Sequence, residues 1–68
     1  MNLFEFRQFY PFKPHEIVYY NSIGDYESLV EVISYPYEEY GEVWIQVREP
    51  GEPSTVETVK VKYLRKQS

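Results

Sequence analysis

The fold is decided by residues 42–48, EVWIQVR, which show the clearest two-residue alternation in the chain. The apolar residues Val43, Ile45 and Val47 fall on one face, and Trp44 falls on the other face with the polar residues. Strict alternation over this length is typical of a β-strand that buries one face. The segment therefore predicts a strand with its three aliphatic side chains in the core.

Short apolar stretches separated by turn residues surround this strand, a pattern typical of a small antiparallel sheet. Further strands are expected over residues 17–20, 28–35 and from Thr55 onwards, with a hairpin tip over residues 37–41. Val56 is out of phase with Val59 and Val61, which predicts a bulge or a bend in the last strand. Residues 62–66 predict one closing turn.

The composition is compatible with one small folded domain. The chain has 68 residues and no cysteine, so neither a disulfide nor a thiolate metal site can stabilise it. Stabilisation must come from apolar packing, and eight tyrosines, four phenylalanines and one tryptophan are its expected source. A small barrel nevertheless has too little interior for thirteen aromatic side chains, so some of them are expected on the surface.

The first twelve residues lie outside the strand pattern and form an N-terminal aromatic arm before a barrel over residues 13–68. The aromatic residues of the arm fit both helical and strand spacing. A segment this short does not hold a helix alone in water, so it must dock either on its own barrel or on a partner. Its contacts are expected from Phe4, Phe6 and Phe9.

Several classes of function are excluded by what the sequence lacks. The longest apolar run has four residues, Ile17 to Tyr20, against the roughly 20 of a membrane helix. No signal-peptide core precedes it, so a cytoplasmic protein is expected. His15 is the only histidine and has no evident partner for acid–base work or metal binding. We therefore expect no enzyme, no cofactor and no metal site.

An acidic, tyrosine-rich hairpin is the feature that points to a function. Tyrosine is common at protein interfaces because it buries a large area at low entropic cost and keeps a polar end. The residues expected to bind a protein, a basic one by charge, are Tyr26, Tyr35, Tyr37, Glu38, Glu39, Tyr40 and Trp44. The structural alternative is that Tyr35 and Trp44 pack as a cross-strand aromatic pair and the others shield a thin core.

The C-terminal end carries the opposite charge. Residues 59–68 have four basic residues and no acidic one, whereas residues 1–58 have three basic residues against eleven acidic ones. This distribution suggests nucleic-acid binding as an alternative function, with tyrosines stacking on bases. The residues in question are Lys60, Lys62, Arg65 and Lys66.

Four segments resemble small barrels of the SH3-like group, most closely the Tudor and KOW type. They are Pro14–Val18, Gly24–Ile33, Val43–Val47 and Val61–Arg65. The resemblance implies an all-β, SH3-like barrel of four to five antiparallel strands with a short N-terminal aromatic arm and a terminal 3-10 turn. It also implies binding rather than catalysis. Tyr26 corresponds to one wall of the aromatic cage in which Tudor-type domains hold a methylated lysine or arginine.

These observations together predict a non-catalytic adaptor module that recognises a protein partner and is itself a monomer or a homodimer. Nucleic-acid binding by a KOW- or Tudor-like barrel is one alternative. The other is a small structural subunit, whose aromatic arm would insert into a larger complex or into a second copy of the chain.

Overall fold

The computed structural model describes residues 2–24 and 26–67. One helix, α1 (Leu3–Phe9), precedes six strands: β1 (Ile17–Ile23), β2 (Tyr26–Val32), β3 (Tyr37–Glu39), β4 (Glu42–Arg48), β5 (Glu57–Lys60) and β6 (Leu64–Arg65). Single 3-10 turns at Pro53–Thr55 and Val61–Tyr63 flank β5. Within the described residues, no helix is long and apolar enough to cross a membrane.

The strands form one antiparallel sheet that curls around β4. The order is β3-β4-β2-β1-β6, and β5 pairs with the other edge of β4. Trp44 illustrates this arrangement, because it lies opposite Tyr37 on one edge and opposite Lys60 on the other. The predicted all-β, barrel-like fold is confirmed. The sheet has six strands because a short strand precedes the hairpin turn and a two-residue strand follows the last 3-10 turn.

The core lies on the inner face of this curled sheet and consists mainly of valines. Ile45 and Val47 of β4 are almost completely buried and Val43 packs against them, as the alternation predicts. Among the side chains that the structure describes, the buried apolar residues of the core are Phe12, Val18, Val30, Val32, Ile45, Val47, Val59 and Val61. Since β-branched side chains pack well on a pleated surface, this composition suits a thin sheet core.

The strand boundaries differ from expectation at the end of β1, at both ends of β2 and at the start of β5. Residues 21–23, expected in a loop, continue β1 beyond a register shift between Tyr20 and Ile23. β2 correspondingly begins at Tyr26 and ends at Val32, because residues 33–36 cross over to β3. The phase break at Val56 is not a bulge within a strand. A 3-10 turn precedes Val56, which is exposed and lies before the start of β5.

The N-terminal arm is helical and contacts its own barrel. Asn2 caps α1, since its side-chain oxygen accepts a hydrogen bond from the Glu5 amide at 2.9 Å. Phe6 packs on Tyr10 with ring centroids 5.0 Å apart, and Tyr10 packs against the core. Phe9 is 71% exposed and does not attach the arm to the core. The side chain of Phe4 lies outside the described part of the structure.

Candidate functional site

Aromatic side chains form much of the surface of this protein. Among those that the structure describes, only Phe12 is buried. Tyr26 and Tyr40 are 74% and 92% exposed, and Tyr35 is also exposed. Much of the aromatic surplus expected from the sequence therefore lies outside the buried core, and Tyr26 and Tyr40 are its most exposed tyrosines.

The most exposed tyrosine lies in the turn of the β3–β4 hairpin. Glu39 pairs with Glu42, so the turn consists of Tyr40 and Gly41 alone. Both have positive φ angles, 55° and 75°, as in the type I′ turn that joins two strands most tightly. This turn favours Asn-Gly, because a left-handed conformation is costly for a bulky side chain. Tyr40 therefore occupies a position where asparagine or glycine would fold better.

The same hairpin opposes two carboxylates. Glu39 and Glu42 lie directly across from each other, an arrangement that destabilises a strand pair. Lys60 Nζ lies 3.7 Å from a Glu42 carboxylate oxygen and partly offsets this repulsion. Glu38 and Glu39 are exposed and take part in none of the ion pairs formed within residues 2–24 and 26–67. The hairpin thus presents negative charge beside its tyrosines.

Trp44, on β4, stabilises this hairpin through its indole ring. Its indole Nε1 donates a hydrogen bond to the carbonyl oxygen of Glu39 at 2.9 Å, and its ring lies 5.7 Å from Lys60 Nζ. Tyr37 is its cross-strand partner. The structural alternative, in which Trp44 pairs with Tyr35 across strands, is therefore wrong on this point, because Tyr35 precedes β3 and lies in the crossover from β2.

Tyr35 contacts the N-terminal arm instead. The guanidinium carbon of Arg7 lies 4.1 Å from the centroid of the Tyr35 ring, a cation–π contact. The crossover itself is fixed by Ser34, whose hydroxyl accepts a hydrogen bond from the Gln46 amide at 3.0 Å. Sequence reasoning did not identify Arg7, since nothing local to α1 indicates which aromatic ring it will reach.

Tyr26 lies away from the hairpin, at the opposite end of the chain segment that forms β2 and β3. It pairs with Ile23 of β1 and lines a groove of about 760 Å³ between β2 and the β4–β5 connection. The structure therefore places most of the predicted protein-binding residues around one hairpin and assigns Tyr26 to a second surface. We call the first surface, Tyr37–Glu39 with Tyr40 and Trp44, the tyrosine hairpin.

The predicted nucleic-acid-binding residues are divided between several local contacts. Three of them pair with carboxylates in the described residues: Lys60 with Glu42, Arg65 with Glu27 and Lys66 with Glu16. Lys62 lies over the ring of Tyr63, 5.3 Å from its centroid. Carboxylate pairing lowers the net positive charge that phosphates would meet at this end of the chain.

Two glutamates are held in the charged form by arginines. Arg65 donates two hydrogen bonds to Glu27, at 2.9 and 3.2 Å, and lowers the pKa of that carboxyl group. Glu27 in turn raises the pKa of Arg65. Arg48 binds Glu31 in the same two-pronged way and, with a smaller contribution from His15, lowers the pKa of Glu31.

These shifts predict a loss of stability in acid. Because the folded state depresses both carboxyl pKa values below the ordinary 4.5, their stabilisation is present above that pH and is lost as the pH falls through the folded pKa. The melting temperature should therefore fall between about pH 5 and pH 3. The double variant Glu27→Gln with Glu31→Gln should melt lower at neutral pH and show a shallower acid slope. The matched control is Glu38→Gln with Glu39→Gln; an unchanged slope in the first variant would contradict the assignment.

Neither a metal-binding group among the described residues nor a similarity to known proteins defines the site further. In the part of the chain that the structure describes, no group of three or more histidines and carboxylates could hold a metal ion. The chain matches no protein-family model, no curated protein and no solved structure. The likeness to Tudor and KOW domains accordingly rests on the strand pattern alone.

Proposed function

We propose that this protein is a non-catalytic binding module that recognises a basic protein partner, in the cytoplasm, through the tyrosine hairpin. The proposal is supported by one observation above all. Tyr40 is 92% exposed and held at a φ of 55°, so it costs folding energy and gains no burial within the chain. Local strain of this kind persists mainly at functional positions.

The chemistry of the hairpin suits such a partner. The two-residue turn fixes the backbone of Tyr40, so little backbone entropy is lost when its ring is covered, and a tyrosine side chain has only two rotatable bonds to restrict. Glu38 and Glu39 can accept hydrogen bonds from lysine or arginine, and a cation between Glu39 and Glu42 would relieve their repulsion. Binding would thus cover the exposed Tyr40 ring and offset the repulsion between Glu39 and Glu42.

Replacement of Tyr40 by asparagine tests the proposal through two effects of opposite sign. Tyr40→Asn should stabilise the fold by about 1 kcal/mol, since asparagine tolerates the left-handed conformation. For a domain of this size, that gain raises the melting temperature by about 4–8 °C. The same variant should lower the affinity for the partner at least about tenfold, because an exposed aromatic anchor is lost. Thermal melts and affinity capture from nuclease-treated native extract measure the two effects.

The matched control is Phe9→Asn, which removes another largely exposed aromatic side chain, this one from the arm. This control should retain the captured protein. A partner lost with Phe9→Asn but kept with Tyr40→Asn would overturn the proposal and favour the arm as the binding site. Loss of all captured protein after nuclease treatment would instead favour the basic C-terminal residues.

A further inference from the structure

The β2 strand extends beyond its neighbour. Pairing between β2 and β4 is limited to Glu31 opposite Arg48 and Val32 opposite Val47. β4 ends at Arg48, so the first part of β2, residues 26–30, has β1 on one side and no paired strand on the other in the described part of the sheet. An unpaired edge of this kind is a template for another strand.

The alternation of the hydrogen bonds identifies which backbone groups face that edge. The Val32 amide donates to the Glu16 carbonyl oxygen at 2.8 Å, so Val32 bonds toward the β1 side. Successive residues in an antiparallel strand bond to opposite sides. Val30 and Ser28 therefore bond toward β1, and the N–H and C=O groups of Leu29 and Glu27 point to the open edge.

A preformed groove borders this edge. Its volume is about 760 Å³, and it lies between β2 and the β4–β5 connection. Tyr26, Leu29 and Val56 contribute exposed apolar surface to its lining. The wall opposite β2 is ordered by hydrogen bonds, because the Thr55 hydroxyl accepts from the Glu49 amide at 2.8 Å and donates to the Glu52 carbonyl oxygen at 2.9 Å.

The charge around the groove favours a basic occupant. Residues 49–59, which form the far wall, contain three glutamates and no basic residue. Glu49 and Glu57 both line the groove. Arg48 also lines the groove, but its guanidinium is already paired with the Glu31 carboxylate at 2.9 Å. The groove thus combines exposed apolar side chains with negative charge along its far wall.

We infer that the open edge of β2 binds an extended, basic peptide segment, which adds to the sheet as a further strand. The edge spans five residues, about 17 Å at the rise of a strand, and so accommodates a segment of about the same length. Backbone hydrogen bonds to Leu29 and Glu27 hold it, alternate apolar side chains cover Tyr26 and Val56, and lysines meet the glutamates of the wall. This surface is separate from the tyrosine hairpin, and the inference does not depend on the function proposed for that hairpin.

The probe for this inference is a capped seven-residue peptide that alternates lysine and valine. On binding to the full chain, it should slow hydrogen exchange of the Leu29 and Glu27 amides at least about tenfold while leaving those of Ser28 and Val30 unchanged. A peptide of the same sequence, N-methylated at alternate residues, keeps the side chains but lacks the donors of one edge. It should bind at least about tenfold more weakly.

Variants of the protein separate the backbone and charge contributions. Leu29→Pro removes the edge amide, with Leu29→Ala as the matched control that keeps it. Glu49→Lys with Glu57→Lys should weaken the lysine peptide at least about tenfold and leave the fold intact, since both side chains are exposed. This charge reversal keeps the inference testable if the proline variant does not fold. Tyr40→Asn should leave peptide binding unchanged.

Three results would overturn the inference. The first is equal binding of the N-methylated peptide, and the second is equal binding of a peptide with glutamate in place of lysine. The third is protection of the Leu29 and Glu27 amides that appears without peptide and grows with protein concentration. That last result would assign the edge to a second copy of this chain.

Discussion

Replacement of Phe12 by alanine is expected to leave the protein largely unfolded at room temperature. Truncation of a buried phenylalanine costs about 3–5 kcal/mol. A core in a chain shorter than about 70–80 residues seldom supplies more than that in total. Phe12 is the one buried aromatic side chain among those described, so the loss falls on the largest member of a core otherwise built from valine and isoleucine.

The neighbours of Phe12 make it a junction between the two ends of the chain. Lys66 Nζ lies 5.2 Å from the centroid of the Phe12 ring and donates a hydrogen bond to the Pro11 carbonyl oxygen at 2.7 Å. The same ammonium group binds the Glu16 carboxylate. Removal of the ring therefore opens the core and weakens the attachment of the C-terminal residues together.

Circular dichroism and urea titration measure the loss of folding stability in Phe12→Ala. Two controls test whether that loss comes from the Phe12 side chain. Phe12→Leu should cost less than about 1.5 kcal/mol, since the side chain stays apolar and similar in volume. Deletion of residues 2–9 should leave a folded protein, whereas deletion of residues 2–12 should unfold it. If the protein stays folded after the longer deletion, the barrel over residues 13–68 is stable without the arm. Residues 1–12 would then be a separate segment, and Phe12 would not be essential to the core.

The inward face of β4 could be predicted from the sequence because it depends on local periodicity. Residues of alternate polarity must point to alternate sides of a strand, whatever the partner strands are. Burial of Ile45 and Val47 follows from this rule, and the barrel-like, all-β fold follows from several such segments joined by turns. These features need no knowledge of distant contacts.

The arrangement of the surface could not be predicted in the same way. The cross-strand partner of Trp44 is set by where residues 33–36 cross between strands, and this depends on packing rather than on period. The basic residues Arg65 and Lys66 find their carboxylates 38 and 50 positions away in the chain. A charge count along the sequence cannot show such neutralisation.

The open edge of β2 could not be predicted from the sequence either. Its existence depends on the relative lengths and register of β2 and β4, two strands that are not consecutive in the chain. The sequence predicts the turn at Tyr40 but not the backbone strain of that residue. Gly41 indicates a turn, but the positive φ of Tyr40 follows from the two-residue length of that turn, which the pairing of Glu39 with Glu42 fixes.

Replacement of Trp44 by alanine is expected to release the tyrosine hairpin from the sheet. The side chain is half-buried between Tyr37 and Lys60, and its loss should cost about 2–3 kcal/mol, below the value for a fully buried tryptophan. Because β3 has only three residues and pairs with β4 alone, its opening need not unfold the rest. Amide exchange over residues 37–43 should therefore accelerate more than exchange at Val30 or Val32.

Trp44→Phe distinguishes the ring from its hydrogen bond. Phenylalanine keeps an aromatic ring at the position opposite Tyr37 and loses the donor to the Glu39 carbonyl oxygen, a loss of about 1 kcal/mol. If Trp44→Phe destabilises the hairpin as much as Trp44→Ala, the hydrogen bond rather than the aromatic ring stabilises the hairpin. Equal acceleration of exchange at Val32 and in the hairpin would show that β3 does not open separately.

The Trp44→Ala variant also separates the two proposed surfaces. Partner capture should fail with it, since Tyr40 is no longer presented by a paired hairpin. Binding of the lysine–valine peptide should persist in the molecules that remain folded, because the open edge is formed by β2 and the groove wall by the β4–β5 connection. Loss of both activities in a protein whose core amides stay protected would mean that the hairpin and the groove form one continuous binding surface.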